Sequence, residues 1–238
     1  MMSLFGRART IVRTHGYGGL TARALAKLKR IASSRIEQRA RKRAWHRLVS
    51  RVRSGPVYFP RHANPTVSVV VIASQHASRA ASCLNALLRQ LDSLPCEVIV
   101  VASADAPQTL AYLDACSGIT VASADDAHDF ATRANRALAA ARGRFVFFLD
   151  ESTIAAPDCI GRLLAACAGN ERVALVGSQL VSPDGSVACA GGILWRDGTA
   201  SWFGSSAGAR PHSTLFPRDV DFAAPYALMA RTETLRAL

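Results

Sequence analysis

A doubly wound, mostly parallel α/β sheet preceded by a basic helical arm is the architecture this sequence predicts. Two observations carry it. From Pro65 onward, short runs rich in β-branched residues alternate with segments of helical periodicity. The basic residues crowd upstream of that alternation: residues 1 to 62 hold 16 Lys and Arg against one acid, Glu37, a net of +15, whereas residues 63 to 238 hold 13 basic and 16 acidic residues, a net of −3. The overall charge of +12 therefore describes an arm and not the domain. With 238 residues, half of them hydrophobic, the chain is long enough to bury a full core. The expected division is an arm over residues 1–62 and one domain over residues 65–238.

The elements follow in order. "TVSVVVIAS", from Thr66, is a continuous apolar run, the pattern of a parallel strand covered on both faces. "ASRAASCLNALLRQLDS" is helical, with Ala81, Leu84, Leu87, Leu88 and Leu91 on one side. "CEVIVVAS" repeats the strand and "PQTLAYLDACS" the helix, with Pro107 pre-set for a first turn. "ITVASA" is a third, shorter strand, and "DFATRANRALAAARG" a helix for which Gly143 is the expected C-cap. "FVFFLD" is the fourth strand, and "APDCIGRLLAACAG" a helix opened by Pro157 and Asp158. "SPDGS", from Ser182, is a turn between two further strands.

In the arm, "RALAKLKRIASSRIEQRARKRAWHRLVSRVR" repeats Leu25, Leu28, Ala32 and Ile36 at helical spacing among Lys and Arg. Such a helix suits a solvated leader, an acidic partner or, through residues 20–53, an anionic membrane surface. No zinc-finger or RNP pattern follows it, so nucleic acid is not an expected partner. An Arg-rich, acid-poor start also resembles a transit peptide. Arg7, Arg9 and Arg13 fall where a secretory signal needs its apolar stretch, and the longest apolar runs are far short of a membrane span. The expected location is cytoplasmic, peripheral at the inner face of the plasma membrane. The six cysteines lack any C-x-x-C spacing and read as reduced core thiols. Walker and H-E-x-x-H motifs are absent.

The fourth strand ends on two acids, Asp150 and Glu151. In open parallel sheets, ligands bind beyond the carboxyl ends of the strands, near the point where strand order reverses. A carboxylate there avoids the cost of full burial and can hold a hard divalent cation bridging a ligand's phosphates. It can equally cap the turn into the next helix.

The blocks "VSVVVIAS", "EVIVVASADAPQT", "DFATRANRALAAARGRFVFFLDES" and "RVALVGSQLVSPDGSVACAGGILWRDG" resemble family 2 glycosyltransferases of the GT-A, Rossmann-like fold over residues 65 to 238. The resemblance implies transfer of a sugar from a nucleotide-diphosphate donor to a cell-surface glycan or lipid-linked acceptor. It implies Asp150 and Glu151 as catalytic residues on the family's D-x-D-like motif, with Asp150 the ligand of a Mg²⁺ or Mn²⁺ ion. Ser152 stands where the last acid is usual, which should weaken the metal. For the nucleotide it implies Ser74, in the loop Ile72 to Gln75, and Ser103, near where the nucleoside-contacting acid is expected and with Asp105 offset from it. Asn135 matches the asparagine of the third helix, and Asp150 completes the nucleotide set. Trp195 and Trp202 offer faces that suit an acceptor sugar. The family's catalytic base lies in a G-G-F-D/E segment beyond the strand and helix start of "DFAAPYALMARTETLRAL". The sequence ends before it, so the resemblance implies a domain incomplete at its C-terminus, with Asp219 and Asp221 as late candidates. A non-catalytic or truncated relative with weak nucleotide binding or an interaction role is the alternative.

Overall fold

The β-branched run after Thr66 forms β1 (Val67–Ile72), all six residues of which are buried. The computed structural model describes residues 39, 43, 55–91, 94–123, 129–204, 214 and 216–238. The chain divides into two units, Met1–Trp45 with Ser182–Ser186, and His46–Val181 with Val187–Leu238. In the first, Arg39 and Arg43 are helical and exposed, and the rest of the expected arm helix lies outside the described residues. Ser182–Ser186 forms the expected tight turn: Asp184 Oδ1 accepts from Ser186 N at 2.9 Å, and Gly185 takes φ 85°.

In the second unit β1 is followed by α1 (Ala77–Leu88), β2 (Cys96–Ala102), α2 (Pro107–Asp114), β3 (Ile119–Ser123), α3 (Phe130–Ala140), β4 (Phe145–Asp150) and α4 (Cys159–Ala168). Three-residue β5 (Leu175–Gly177) precedes two hairpins, β6 (Leu180–Val181) with β7 (Val187–Cys189) and β8 (Gly192–Leu194) with β9 (Ala200–Trp202). The last elements are β10 (Ala227–Arg231) and α5 (Thr232–Arg236). The main sheet has the order β3-β2-β1-β4-β10-β5. β1 to β4 are parallel, while β10 runs antiparallel between β4 and β5. The architecture is the expected mostly parallel α/β sheet.

Both faces are covered, which is why these strands read as unbroken apolar runs. On one side Val69, Val71, Val98, Val100, Phe147, Leu149 and Met229 pack with Leu84 and Leu87 of α1, Leu113 of α2 and Ile160 of α4. On the other, Val70, Ile72, Ile99, Val101, Val146 and Phe148 meet Ala134 and Ala137 of α3. The buried chain extends upstream of Pro65: Val57 and Phe59 join the first core, with Phe59 N donating to Ser117 O at 2.9 Å and Ser117 N to Val57 O at 3.0 Å. Gly118, at φ 77°, admits that approach, because a Cβ there would lie 1.8 Å from the Phe59 carbonyl oxygen.

Two helix ends depart from expectation. α3 stops at Ala140 and turns extended at Ala141, so Gly143 is not its C-cap. The glycine serves close approach instead: a Cβ at Gly143 would stand 2.5 Å from Ser68 N on β1. At α4, Asp158 sits at the N-cap with φ 61°, but its side chain makes no capping bond. Gln90 does that work, accepting from Ile160 N at 3.3 Å while donating to Ala155 O at 3.2 Å.

At the opposite end of the sheet from the tip of β4, Glu97 accepts Ser68 Oγ at 2.6 Å, Arg142 N at 2.6 Å and Arg142 Nε at 2.8 Å. Burial pushes this carboxyl up, but the bonds from Ser68 and Arg142 outweigh it and hold the group below its ordinary value. The unfolded chain, with a pKa near about 4.3, then binds the proton more tightly than the folded one. The stabilisation is fully present above that value and is lost as pH falls through the lower folded pKa. Glu97→Gln is expected to cost about 1–3 kcal/mol at pH 7 and to flatten the acid loss. Urea unfolding at pH 7 and pH 3 reads both; an unchanged acid slope in the variant would contradict the assignment.

Candidate functional site

The strand order 3-2-1-4 reverses between β1 and β4, and the two strands end side by side, with Ile72 paired to Asp150. A parallel sheet opens a crevice at such a reversal, because successive crossovers leave toward opposite faces. Here the crevice is bounded by Ala73, Ser74 and Gln75 after β1 and by Glu151 and Ser152 after β4.

Four elements fix the loop after β1. Glu151 is 4% exposed, and its carboxylate accepts Ser74 N at 2.9 Å and the Ser74 hydroxyl. A buried carboxylate needs such donors to offset its desolvation. Thr109 Oγ1, in the first turn of α2, donates to Ser74 O at 2.8 Å. Arg133 Nη1, from α3, donates to Ala73 O at 3.3 Å, and Gln75 Nε2 reaches Asp105 Oδ2 at 3.4 Å. Thr109 and Arg133 carry no sequence signal for this task, since their partners lie 35 and 60 residues away.

Asp150 behaves differently. Half-buried, it uses Oδ1 to accept Ser152 N at 2.9 Å and the Ser152 hydroxyl. Its Oδ2 has no hydrogen-bond or ion-pair partner among the described residues. One oxygen of this carboxylate therefore caps the turn after β4. Behind it, Cys83 Sγ lies 4.0 Å from Asp150 O; burial and then the charges of Asp150 and Glu151 push its thiol far up, so it stays protonated and unreactive.

The other expected residues are distributed unevenly. Ser103 is buried in the turn into α2, its carbonyl accepting Ala106 N at 3.2 Å. Asn135 is exposed on α3, and the side chain of that helix that reaches the loop is Arg133. Trp195 is exposed in the β8–β9 hairpin, its Nε1 donating to Ser201 Oγ at 3.1 Å. Trp202 stacks edge-on to Phe222 with ring centroids 4.9 Å apart. Asp221 Oδ2 accepts Leu194 N at 2.8 Å, and Asp219 is exposed. Ser74, Glu151 and Asp150 are thus brought together, while the tryptophans belong to a separate hairpin. Among the described residues no three His, Cys, Asp or Glu side chains form a cluster able to hold a metal alone.

Residues 68–231, well over half the chain, match the family model for glycosyl transferase family 2. The chain belongs to that family. Among solved structures this glycosyl transferase family 2 chain is similar to the mannosyltransferase PcManGT from Pyrobaculum calidifontis, solved with GDP-Man and Mn²⁺, at 21% identity over 66% of this chain and 46% of that one, with a TM-score of 0.42. Glucosyl-3-phosphoglycerate synthase from Mycobacterium tuberculosis, solved with UDP, is similar at 20% identity over 77% and 67%, with a TM-score of 0.47. TarS 1-349 from S. aureus is similar at 18% identity over 72% and 48%, with a TM-score of 0.46. The chain therefore spans about half the length of two of these structures and two thirds of the other. No curated protein matches it.

Within the family 2 domain, the acid pair at the end of β4 divides its labour. Glu151 organises the neighbouring loop and Asp150 faces outward.

Proposed function

We propose that the chain transfers a sugar from a nucleotide-diphosphate donor to a hydroxyl of a cell-surface glycan or lipid-linked acceptor. The observation that carries this is the half-exposed Asp150, with Oδ2 available, at the β1–β4 reversal of a family 2 domain. Ser74 and Ser103, in the turns after β1 and β2, and Asn135, exposed on α3, are the proposed nucleotide contacts. Trp195 and Trp202 are the proposed acceptor contacts. Glu151 acts through Ser74, keeping the donor loop rigid, so its contribution to catalysis is positional.

The residues present fit a Mg²⁺ or Mn²⁺ ion that arrives with the donor. Such ions keep several waters and take one or two carboxylates plus substrate phosphates, and Asp150 Oδ2 supplies one carboxylate oxygen. Glu151 is committed to Ser74 and Ser152 to Asp150, which leaves no preformed cage. When bound, the cation offsets diphosphate charge as the nucleotide leaves. Calorimetric titration with UDP, GDP and dTDP, with and without Mn²⁺, tests the site.

A second reading, nucleotide binding without transfer, is favoured by one observation: Glu151 commits both carboxylate oxygens to Ser74, so it is not poised to remove an acceptor proton. Cation-dependent binding without release of sugar from any bound donor would select it.

The basic residues 20–53 are proposed to hold the domain at an anionic membrane, cytoplasmic and peripheral in placement. The protein is expected to float with vesicles containing phosphatidylserine at low salt and to dissociate as salt rises. Equal flotation with neutral vesicles would contradict this. Among the described residues no helix is long and apolar enough to cross a membrane.

A further inference from the structure

The crevice has a second wall that the sequence reading leaves unassigned. β10 enters the sheet beside β4 with Ala227 opposite Leu149, and the pairing continues one residue further because Asp150 N donates to Tyr226 O at 3.1 Å. Tyr226 therefore stands directly across from Asp150. Alternation across an antiparallel pair sends directly opposed side chains to the same face of the sheet. Leu149 and Ala227 point into the core with α1 and α4, so Asp150 and Tyr226 share the other side, in line with Phe148. Tyr226 is 47% exposed, next to the carboxylate with the available oxygen. An aromatic side chain of this size is left half in water beside Asp150, although Ala227, next to it on β10, and Leu149, next to Asp150 on β4, are almost wholly buried.

The order of strand tips gives this aromatic its place. Along the carboxyl edge the sequence of tips runs β2 with Ser103, β1 with Ser74, β4 with Asp150, then Tyr226 at the start of β10. A donor whose diphosphate lies at Asp150 and whose nucleoside extends over β1 and β2 has its third part, the sugar, on the side of β10. We infer that Tyr226 is the sugar-contacting residue of the donor site, its ring packing against the C–H face of the transferred hexose. The inference rests on the proposed donor site at Asp150. An aromatic face against a sugar gains from apolar contact without a directional hydrogen bond, so the phenol hydroxyl is secondary and phenylalanine retains the interaction.

The test compares each nucleotide with its sugar-bearing form by calorimetry: UDP with UDP-glucose, GDP with GDP-mannose, and dTDP with dTDP-glucose, all with Mn²⁺. For whichever pair binds, Tyr226→Ala is expected to weaken the sugar nucleotide about fivefold while leaving the bare diphosphate unchanged, and Tyr226→Phe is expected to match the parent for both. Equal loss for the two ligands in Tyr226→Ala would show that the residue only supports Asp150, and no loss for either would remove it from the site; both results overturn the inference. Failure of the parent to bind any of the six compounds overturns the donor site itself, a result distinct from the other two. Thermal unfolding of both variants separates a folding defect from a binding one, since a half-exposed ring contributes little to the core.

Discussion

Arg231→Met is expected to lower the free energy of unfolding by about 2–3 kcal/mol, a large effect for a single substitution. The guanidinium is 5% exposed and pairs with no carboxylate among the described residues. It donates instead to Cys167 O at 2.7 Å, Asn170 O at 3.2 Å and Val173 O at 3.1 Å. These carbonyls close the C-terminal turn of α4 and the segment that leads into β5, where the helix leaves unsatisfied acceptors and partial negative charge. The guanidinium carbon also sits 5.4 Å from the centre of the Phe145 ring. Methionine fills much of the volume but supplies no donor, so Cys167 O loses its partner in a nearly dry place and Val173 O keeps only the weak Cys167 thiol at 3.7 Å, while Asn170 O retains Val173 N at 3.0 Å. Urea unfolding should show a lower midpoint with an unchanged slope. Arg236→Ala, which removes an exposed bond to Leu138 O and a part-buried one to Ala141 O from an exposed side chain, is the comparison and should cost about 1 kcal/mol. A loss below that for Arg231→Met would show that the carbonyls find water instead.

Asp150→Asn should abolish the cation-dependent part of nucleotide-diphosphate affinity, a loss of at least about tenfold, or ~1.4 kcal/mol. The substitution is nearly isosteric, and the amide oxygen can still accept from Ser152 N, so the turn after β4 survives. What changes is the second oxygen, which becomes an NH₂ group that cannot ligate a cation. Affinity measured without Mn²⁺ should differ little between parent and variant. Such a pattern separates a ligand role from a structural one, because loss of the turn would weaken binding in both conditions.

The sheet was legible in the sequence because its signals are local. β-branched runs covered on both faces, and apolar residues spaced for one helix face, report their own environment. Pro107 at the first turn of α2 and the Ser182–Ser186 turn are read in the same way. The insertion of β10 between β4 and β5 was not legible, since its partner strands lie tens of residues upstream and nothing in "YALMAR" encodes an antiparallel neighbour. Gly143 shows the same limit. A glycine after a helix looks like a cap, and only the packed structure shows that β1 excludes a side chain there.

At the site, the sequence located the acidic tip but could not apportion its oxygens. Asp150 and Glu151 are neighbours in the chain, yet one faces the crevice and the other is drawn to Ser74, 77 residues away. Ser152, expected as a weak ligand, instead bonds the acid it was to assist. Those choices depend on which donors the fold brings within reach. For the same reason Arg133 approaches the loop after β1 while Asn135, two positions later on α3, faces outward.

Electron paramagnetic resonance of Mn²⁺ tests the central claim, that a nucleotide diphosphate and its cation meet the protein at the tip of β4. With UDP, GDP or dTDP present, the parent protein should remove Mn²⁺ from the free-ion signal beyond what the nucleotide removes alone, and Asp219→Asn should do the same. Asp150→Asn should leave only the nucleotide's own effect. Retention of the full protein-dependent change in Asp150→Asn would place the cation elsewhere and contradict the account.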